Sequence, residues 1–463
     1  MVQHRLSTAN FILFCATTMP EGIAILPVYS VLPAFYAQYR HVGLVALGAA
    51  FALSRIVDAV FDPLIGHLSD RTKERFGKRK PWFVAGSAIS AMGVYFLFNP
   101  SPAAGVWYFT IWSTIVLLGW SMLDLSRSAW GNDLVPEYGP RNYMAGLQTF
   151  FRYIGFSVFI FAPLYLHTGA AAVTPAVMFV SSLLFVIGMP LLAVLTALIV
   201  PNGTALQKPS ISLRVFAADL LRNVPFWWFV GIAAPSLLAI GANMALTYIF
   251  ITQYLHLGGA YSFIALPATF APLLAVPVWL PFARWFQRQG AWAICLAIAA
   301  AATVALAFLP PSPKVQMTFF VLLTVYSLAS GGNWLGVPML GDVVDHDELQ
   351  SGSNKAGFYF AFYSLLNKVS LAVGSGAALL IAGLFGFKSG EPIGPTAQTG
   401  LLIAYAWLPA LLNLIAIPAA LKFPLTRTQH GKIREELVRR RETTSELVSE
   451  ALASPAASAN IPL

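Results

Sequence analysis

The 463-residue sequence is 57% apolar and only 10% Asp, Glu, Lys and Arg, against about 45–50% and about 25% in soluble domains, which excludes an ordinary globular enzyme. Its 28 Lys and Arg against 19 Asp and Glu leave a formal charge of +9; long apolar runs separate these charges, so the excess is a membrane-topology signal and no nucleic-acid partner is expected. Two cysteines, Cys15 and Cys295, both inside apolar runs, exclude a disulfide scaffold or a multi-cysteine metal centre.

Twelve stretches reach the roughly 20 apolar residues that a bilayer-crossing helix needs: 10–36, 43–69, 82–99, 105–130, 142–166, 174–200, 226–254, 262–285, 290–309, 317–340, 355–385 and 398–422. An all-α polytopic membrane protein is therefore expected, in contact with membrane lipids. The first stretch is too long for a secretion signal and carries Pro20 and Glu21, so it reads as mature structure facing other helices. Glu21 is a candidate cavity residue or a contact at the Pro20 break.

In the second stretch Arg55, Asp58 and Asp62 recur at i, i+3 and i+7, on one helical stripe with the two acids a turn apart. Charges at membrane depth are costly and normally face a bundle interior or a transport pathway. Two adjacent carboxylates repel unless a cation or proton joins them, so Asp58 and Asp62 are a candidate coupling-ion site, for sodium or for a proton. A static salt bridge through Arg55 is the competing reading. The loop that follows, 70–80, holds six bases and two acids.

Ser121, Asp124 and Arg127 repeat the three-residue spacing in the fourth stretch. Asp124 suits a hydroxyl-bearing solute as hydrogen-bond acceptor, unless Arg127 simply neutralises it. Arg152 in the fifth stretch and Lys368 in the eleventh need partners from other helices, with Asp58, Asp62 and Asp124 the evident ones. Lys368 arises in the second half of the chain and the acids in the first, so an ion pair between them would form or break as the halves rock. Asn243 in the seventh stretch, Trp334 in the tenth, and Tyr363 and Asn367 in the eleventh are further candidate solute contacts, with interhelical hydrogen bonding the alternative.

The segment 201–225 divides the chain near its midpoint and includes an amphipathic stretch, 212–223, expected to lie along the membrane surface. The organisation expected is a first six-helix bundle over 1–200, a cytoplasmic linker over 201–225, a second six-helix bundle over 226–424 and a cytoplasmic tail over 425–463. Asp342, Asp345, Asp347 and Glu348 read as an acidic loop after the tenth stretch. With Arg141 and the basic loop, Asp342 and Asp345 are candidates for a conformational gate that latches the halves when the far side is open. A helix is expected near 430–450.

With both termini cytoplasmic, 21 of the 28 basic residues fall inside and only Arg40, Lys314 and Lys388 outside, which fixes the expected orientation. No phosphate-binding glycine loop is present, which argues against direct ATP drive, and the seven His are scattered. No cofactor is expected.

The run from Arg55 to Gly66, followed by Gly77-Lys78-Arg79-Lys80-Pro81-Trp82, resembles the signature of the glycoside, pentoside and hexuronide cation symporters, the melibiose permease-like branch of the major facilitator superfamily. The resemblance continues through Asp124, Asn132 to Glu137, Arg141, Arg152, Asp342 to Asp345, Lys368 and the tail from Pro424 to Arg440. It implies the major facilitator fold in a bacterial inner membrane, a chain functional as a monomer, and no enzymatic activity. It implies cation-coupled symport of a sugar, glycoside or uronate, with Asp58, Asp62 and Ser121 at the cation, Asp124 and Arg152 at the solute, and Lys368 bridging to the cation site. Phe61 replaces an amide that helps bind sodium in melibiose permease, which turns the expectation toward a proton. Ser128 replaces an aromatic residue of the sugar pocket, Glu21 is displaced from the family's helix I acid, and Arg127 has no counterpart. A lysophospholipid or other amphipathic solute is the alternative cargo.

Overall fold

A computed structural model describes residues 7–70, 72, 77, 79–135, 138–166, 173–202, 219–353 and 355–453, with the side chains of 67, 70, 138–142, 267 and 441–453 left out. It is all-α, and twelve spans are long and apolar enough to cross a membrane: Thr8–Arg40, Leu44–Gly66, Lys80–Phe98, Val106–Leu134, Tyr143–Tyr165, Pro175–Ile199, Val224–Tyr254, Gly258–Trp285, Gln287–Ala307, Pro313–Ser351, Ala356–Leu384 and Pro395–Leu421, numbered here as spans 1 to 12. The terminal segments lie on one face, and the loops after the odd-numbered spans lie on the opposite, far face.

Span 1 is broken rather than continuous. Pro20 has no N–H to give the carbonyl of Ala16, and the first helix, Thr8–Ala16, ends there. The hydroxyls of Thr17 and Thr18 donate to the carbonyls of Phe14 and Cys15 at 2.7 and 2.9 Å, and Thr18 also reaches the Gln148 carbonyl of span 5 at 2.7 Å. The second helix, Thr18–Leu26, therefore carries Glu21 in its first turn, where the positive end of the helix favours a carboxylate. A π turn at Pro27–Val31 follows, and span 7, the first of the second six, has its own at Phe250–Tyr254.

Close helix approach at glycine sets the depth at which charged side chains meet. A Cβ on Gly22 would lie 2.1 Å from the Arg152 carbonyl oxygen, and one on Gly155 would lie 2.0 Å from that of Met19, so spans 1 and 5 touch backbone to backbone. Gly241 and Gly374 do the same for spans 7 and 11, against the carbonyls of Leu371 and Leu238. The two glycine pairs are separated by the same number of residues along the chain, a repeat between the halves that the sequence shows only faintly. Gly22→Val is expected to lower the thermal midpoint of the solubilised protein, at a cost of about 3 kcal/mol from overpacking. Gly146→Ala, in open space, should leave it unchanged; equal midpoints for the two variants would contradict the close approach.

The acids from Asp342 to Glu348 lie on a helix rather than in a loop. Span 10 passes through a 3-10 turn at Gly331–Leu335 and continues as the helix Gly336–Ser351, which ends only where Gly352 turns left-handed at φ 72°. Its polar end has a cover: the tail helix Arg427–Ala453 packs on it, burying Ile433 and Leu437, and Arg440 donates to the Leu349 carbonyl at 3.0 Å. Most of the expected surface helix, 212–218, lies outside the described residues. Its end is anchored where the buried Lys355 ammonium reaches Asp219 at 2.6 Å and Asp347 at 3.1 Å. Burial works against that charge, but the two carboxylates outweigh it and raise the Lys355 pKa.

Candidate functional site

Two charged clusters meet at mid-depth, joined by one turn of span 4. In the first, the Lys368 ammonium of span 11 lies 2.6 Å from Asp62 and 3.5 Å from Asp58, both on span 2, and donates to the Ser121 hydroxyl at 2.8 Å. Ser121 in turn donates to Asp58 at 2.5 Å. Arg55 stands 3.8 Å from Asp58, with its guanidinium 4.3 Å over the ring of Tyr29. One carboxylate oxygen of Asp62, Oδ1, is buried without a hydrogen-bond partner and so is open to a further donor or cation.

The second cluster is built on Arg127, one turn beyond Asp124 on the same face. Its guanidinium engages both oxygens of Glu21, the second at 3.0 Å, and also bonds Asp124. Arg152 of span 5 reaches Glu21 at 3.3 Å. The close contact of spans 1 and 5 at Gly22 and Gly155 brings Glu21 and Arg152 within reach of each other.

Each cluster has a sealed side and an open side. Asp58, Glu21 and Arg127 side chains are only 2%, 3% and 5% exposed, whereas Asp124 is 52% exposed, Arg152 35% and Lys368 24%. Ser121, which Lys368 bonds, and Asp124 stand one turn apart on span 4, so the open edges of the two clusters border one space between the spans, the chamber. Toward the far face the halves close on each other: Gly48 packs on Gly376 and Gly383 on Val45, the Ser262 hydroxyl donates to the Ile160 carbonyl at 2.7 Å, and Val173 N–H donates to the Tyr248 hydroxyl at 3.0 Å. Among the described residues the two halves are therefore in contact toward the far face.

Several expected residues fall elsewhere. Arg152 pairs with Glu21 and not with Asp58, Asp62 or Asp124. Asn243 is 3% exposed, its amide turned to the Tyr405 carbonyl at 3.5 Å, away from the chamber. Trp334 and Tyr363 pack on the core of the second six spans, Tyr363 edge-on to Phe229. Asn367 is half-buried beside Lys368. At the terminal face, Asp342 is held by Arg288 at 2.6 Å and Asp345 by His430 of the tail at 2.9 Å, so these acids are engaged within their own half. The Arg141 side chain and most of the basic loop lie outside the described residues. Among the described residues no group of three or more His, Cys, Asp or Glu is arranged to hold a metal ion.

Comparison with known proteins agrees with this architecture. An uncharacterised symporter of Synechocystis sp. is 24% identical, covering 85% of this chain and 90% of that protein. A lactose permease of Lactobacillus delbrueckii subsp. bulgaricus is also 24% identical, covering 83% of this chain and 64% of its own longer length. The fold is shared with a crystal structure of the nucleoside transporter NupG in mutant form, at TM-score 0.68 and 13% identity over 89% of this chain and 99% of that one. The family described as MFS/sugar transport protein matches residues 13–427; the chain belongs to this family and is a secondary-active, multi-pass membrane transporter rather than an enzyme.

Proposed function

We propose that this chain is a cation-coupled symporter of the glycoside, pentoside and hexuronide type, carrying a small hydroxylated solute. The observation that carries the reading is the pairing of Lys368, from the second six spans, with Asp58 and Asp62, from the first six, inside a chamber closed at one end. The ammonium sits where a coupling ion would bind, so the empty carrier supplies its own cation. An ion that displaces Lys368 compensates the carboxylates as Lys368 does in the empty carrier, so the two halves can exchange exposure in either state, with 1–200 and 226–424 as the rocking units. Asp124 and Arg152 present an acceptor and a donor to the solute in the same chamber.

The oxygen set around Asp58 comprises Asp62 and the Ser121 hydroxyl. A proton needs one carboxylate, whereas sodium needs several oxygens, and Phe61 offers none. The proton is therefore the ion this reading favours. Basic-residue placement favours cytoplasmic termini, and the closed far face is then the outer one, which suits a chamber that faces inward. A similar lactose permease supports a sugar as cargo. One chain encloses the whole pathway, which suits a monomer.

Vesicles reconstituted with the protein and given an imposed proton or sodium gradient test this function. Gradient-driven uptake of a glycoside is the expected result. Uptake of a lysophospholipid with none of any glycoside, or glycoside flux indifferent to both gradients, would overturn it.

A further inference from the structure

The pair Arg127 and Glu21 has no place in solute contact. Both side chains are at least 95% buried, behind Asp124 and Arg152, whose open edges are what a solute would meet. Arg127 nevertheless decides what Asp124 presents: its guanidinium occupies Asp124 Oδ1, leaving the other oxygen to the chamber. Arg152 offers a guanidinium edge held at one corner by Glu21, with its Nε buried and unpartnered. The four residues carry two negative and two positive charges. The neighbouring cluster of Asp58, Asp62, Arg55 and Lys368 is balanced in the same way.

We propose that the buried Arg127–Glu21 pair is the specificity-setting device of the pocket: it orients Asp124 and Arg152 and offsets the charge of each, Arg127 that of Asp124 and Glu21 that of Arg152, so that the site selects neutral polyhydroxyl solutes over those bearing an ammonium or a carboxylate. The inference rests on the reading of the chamber as a solute site and narrows its cargo. A hydroxyl both donates and accepts, and two neighbouring hydroxyls can donate to Asp124 while accepting from Arg152. Neither end of that arrangement needs a net charge on the solute. Charges shielded from water act over longer reach than exposed ones, so a change in the hidden pair is felt at the open edge. Specificity is a difference between affinities, and the hidden pair acts on that difference by position and charge without touching the solute.

The test uses the full-length protein in detergent and three probes on one sugar frame, at a pH slightly below neutral: nitrophenyl glucoside, nitrophenyl glucosaminide with its ammonium, and nitrophenyl glucuronide with its carboxylate. The wild-type protein is expected to bind the neutral probe at least about tenfold better than either charged one. Glu21→Gln leaves a surplus positive charge and should move the preference about tenfold toward the glucuronide. Arg127→Met leaves a surplus negative charge and should move it toward the glucosaminide. The double variant, balanced again, should return to the neutral probe, and Arg127→Lys should keep it. Arg127→Met leaves Glu21 short of its main partner and is the variant most exposed to misfolding; Glu21→Gln and the double variant avoid that and decide the matter alone. Weakening of all three probes in proportion would reduce the pair to a structural role and overturn the proposal, as would a wild-type preference for a charged probe. Wild-type binding of none of the three would remove the sugar-site reading and the inference with it.

Discussion

Asp62→Asn is expected to abolish ion-driven accumulation while leaving solute binding within a few fold of wild type. Asp62 is the closest carboxylate to Lys368, at 2.6 Å, and its second oxygen is buried without a partner. An amide of the same size keeps a hydrogen-bonding contact there but takes up no proton and brings no negative charge to hold a cation. Asp124 and Arg152 belong to the other cluster, so the solute site keeps its contacts. Coupling between ligands is typically worth 5–150-fold in affinity, and in this variant the effect of the ion on solute affinity should vanish. Initial uptake under a gradient and solute binding with and without the ion read the two quantities separately. Accumulation at the wild-type level would remove Asp62 from the coupling path.

Lys368→Met is expected to fail differently. It removes the internal cation and leaves Asp58 and Asp62 facing each other with only Arg55 nearby. Stranding a buried charge costs about 3–5 kcal/mol, enough to slow return of the empty carrier by roughly two to four orders of magnitude. With ion and solute bound the carboxylates are compensated and movement continues. Net uptake should therefore collapse while exchange of labelled for unlabelled solute persists in the presence of the ion. Loss of both activities together, in protein that still binds solute, would contradict this role for Lys368.

Much of the fold was legible because membrane helices announce themselves by length and hydropathy, and the twelve expected stretches correspond to the twelve spans. Span 10 ran further than expected because its end is set by Gly352 and by the cover of the tail helix, not by where polarity begins; Asp342 to Glu348 are polar helix, not loop. The charged stripe of span 2 was legible from spacing, as was the need of Lys368 for a partner across the halves. The role of Glu21 was harder to see. Spacing relates Asp124 to Arg127 within one helix but is silent on which acid a third helix brings up, and Glu21 arrives through the Pro20 break and the packing of Gly22 on Gly155. Those small residues, beside Glu21 and three after Arg152, were the available signal. Asn243 misled for the opposite reason, since a polar side chain on a helix face looks the same whether it turns to a chamber or to a neighbouring carbonyl.

In the proposed cycle Lys368 and the coupling ion compete for the same two carboxylates. The most direct measurement is the ion concentration at which solute affinity reaches half its maximal gain, titrated with protons and with sodium on purified wild-type protein and on Lys368→Met. Competition predicts that the midpoint for the coupling ion falls by at least about tenfold in the variant, as removal of a bound competitor requires. A midpoint that stays where it was, or rises, would contradict the account.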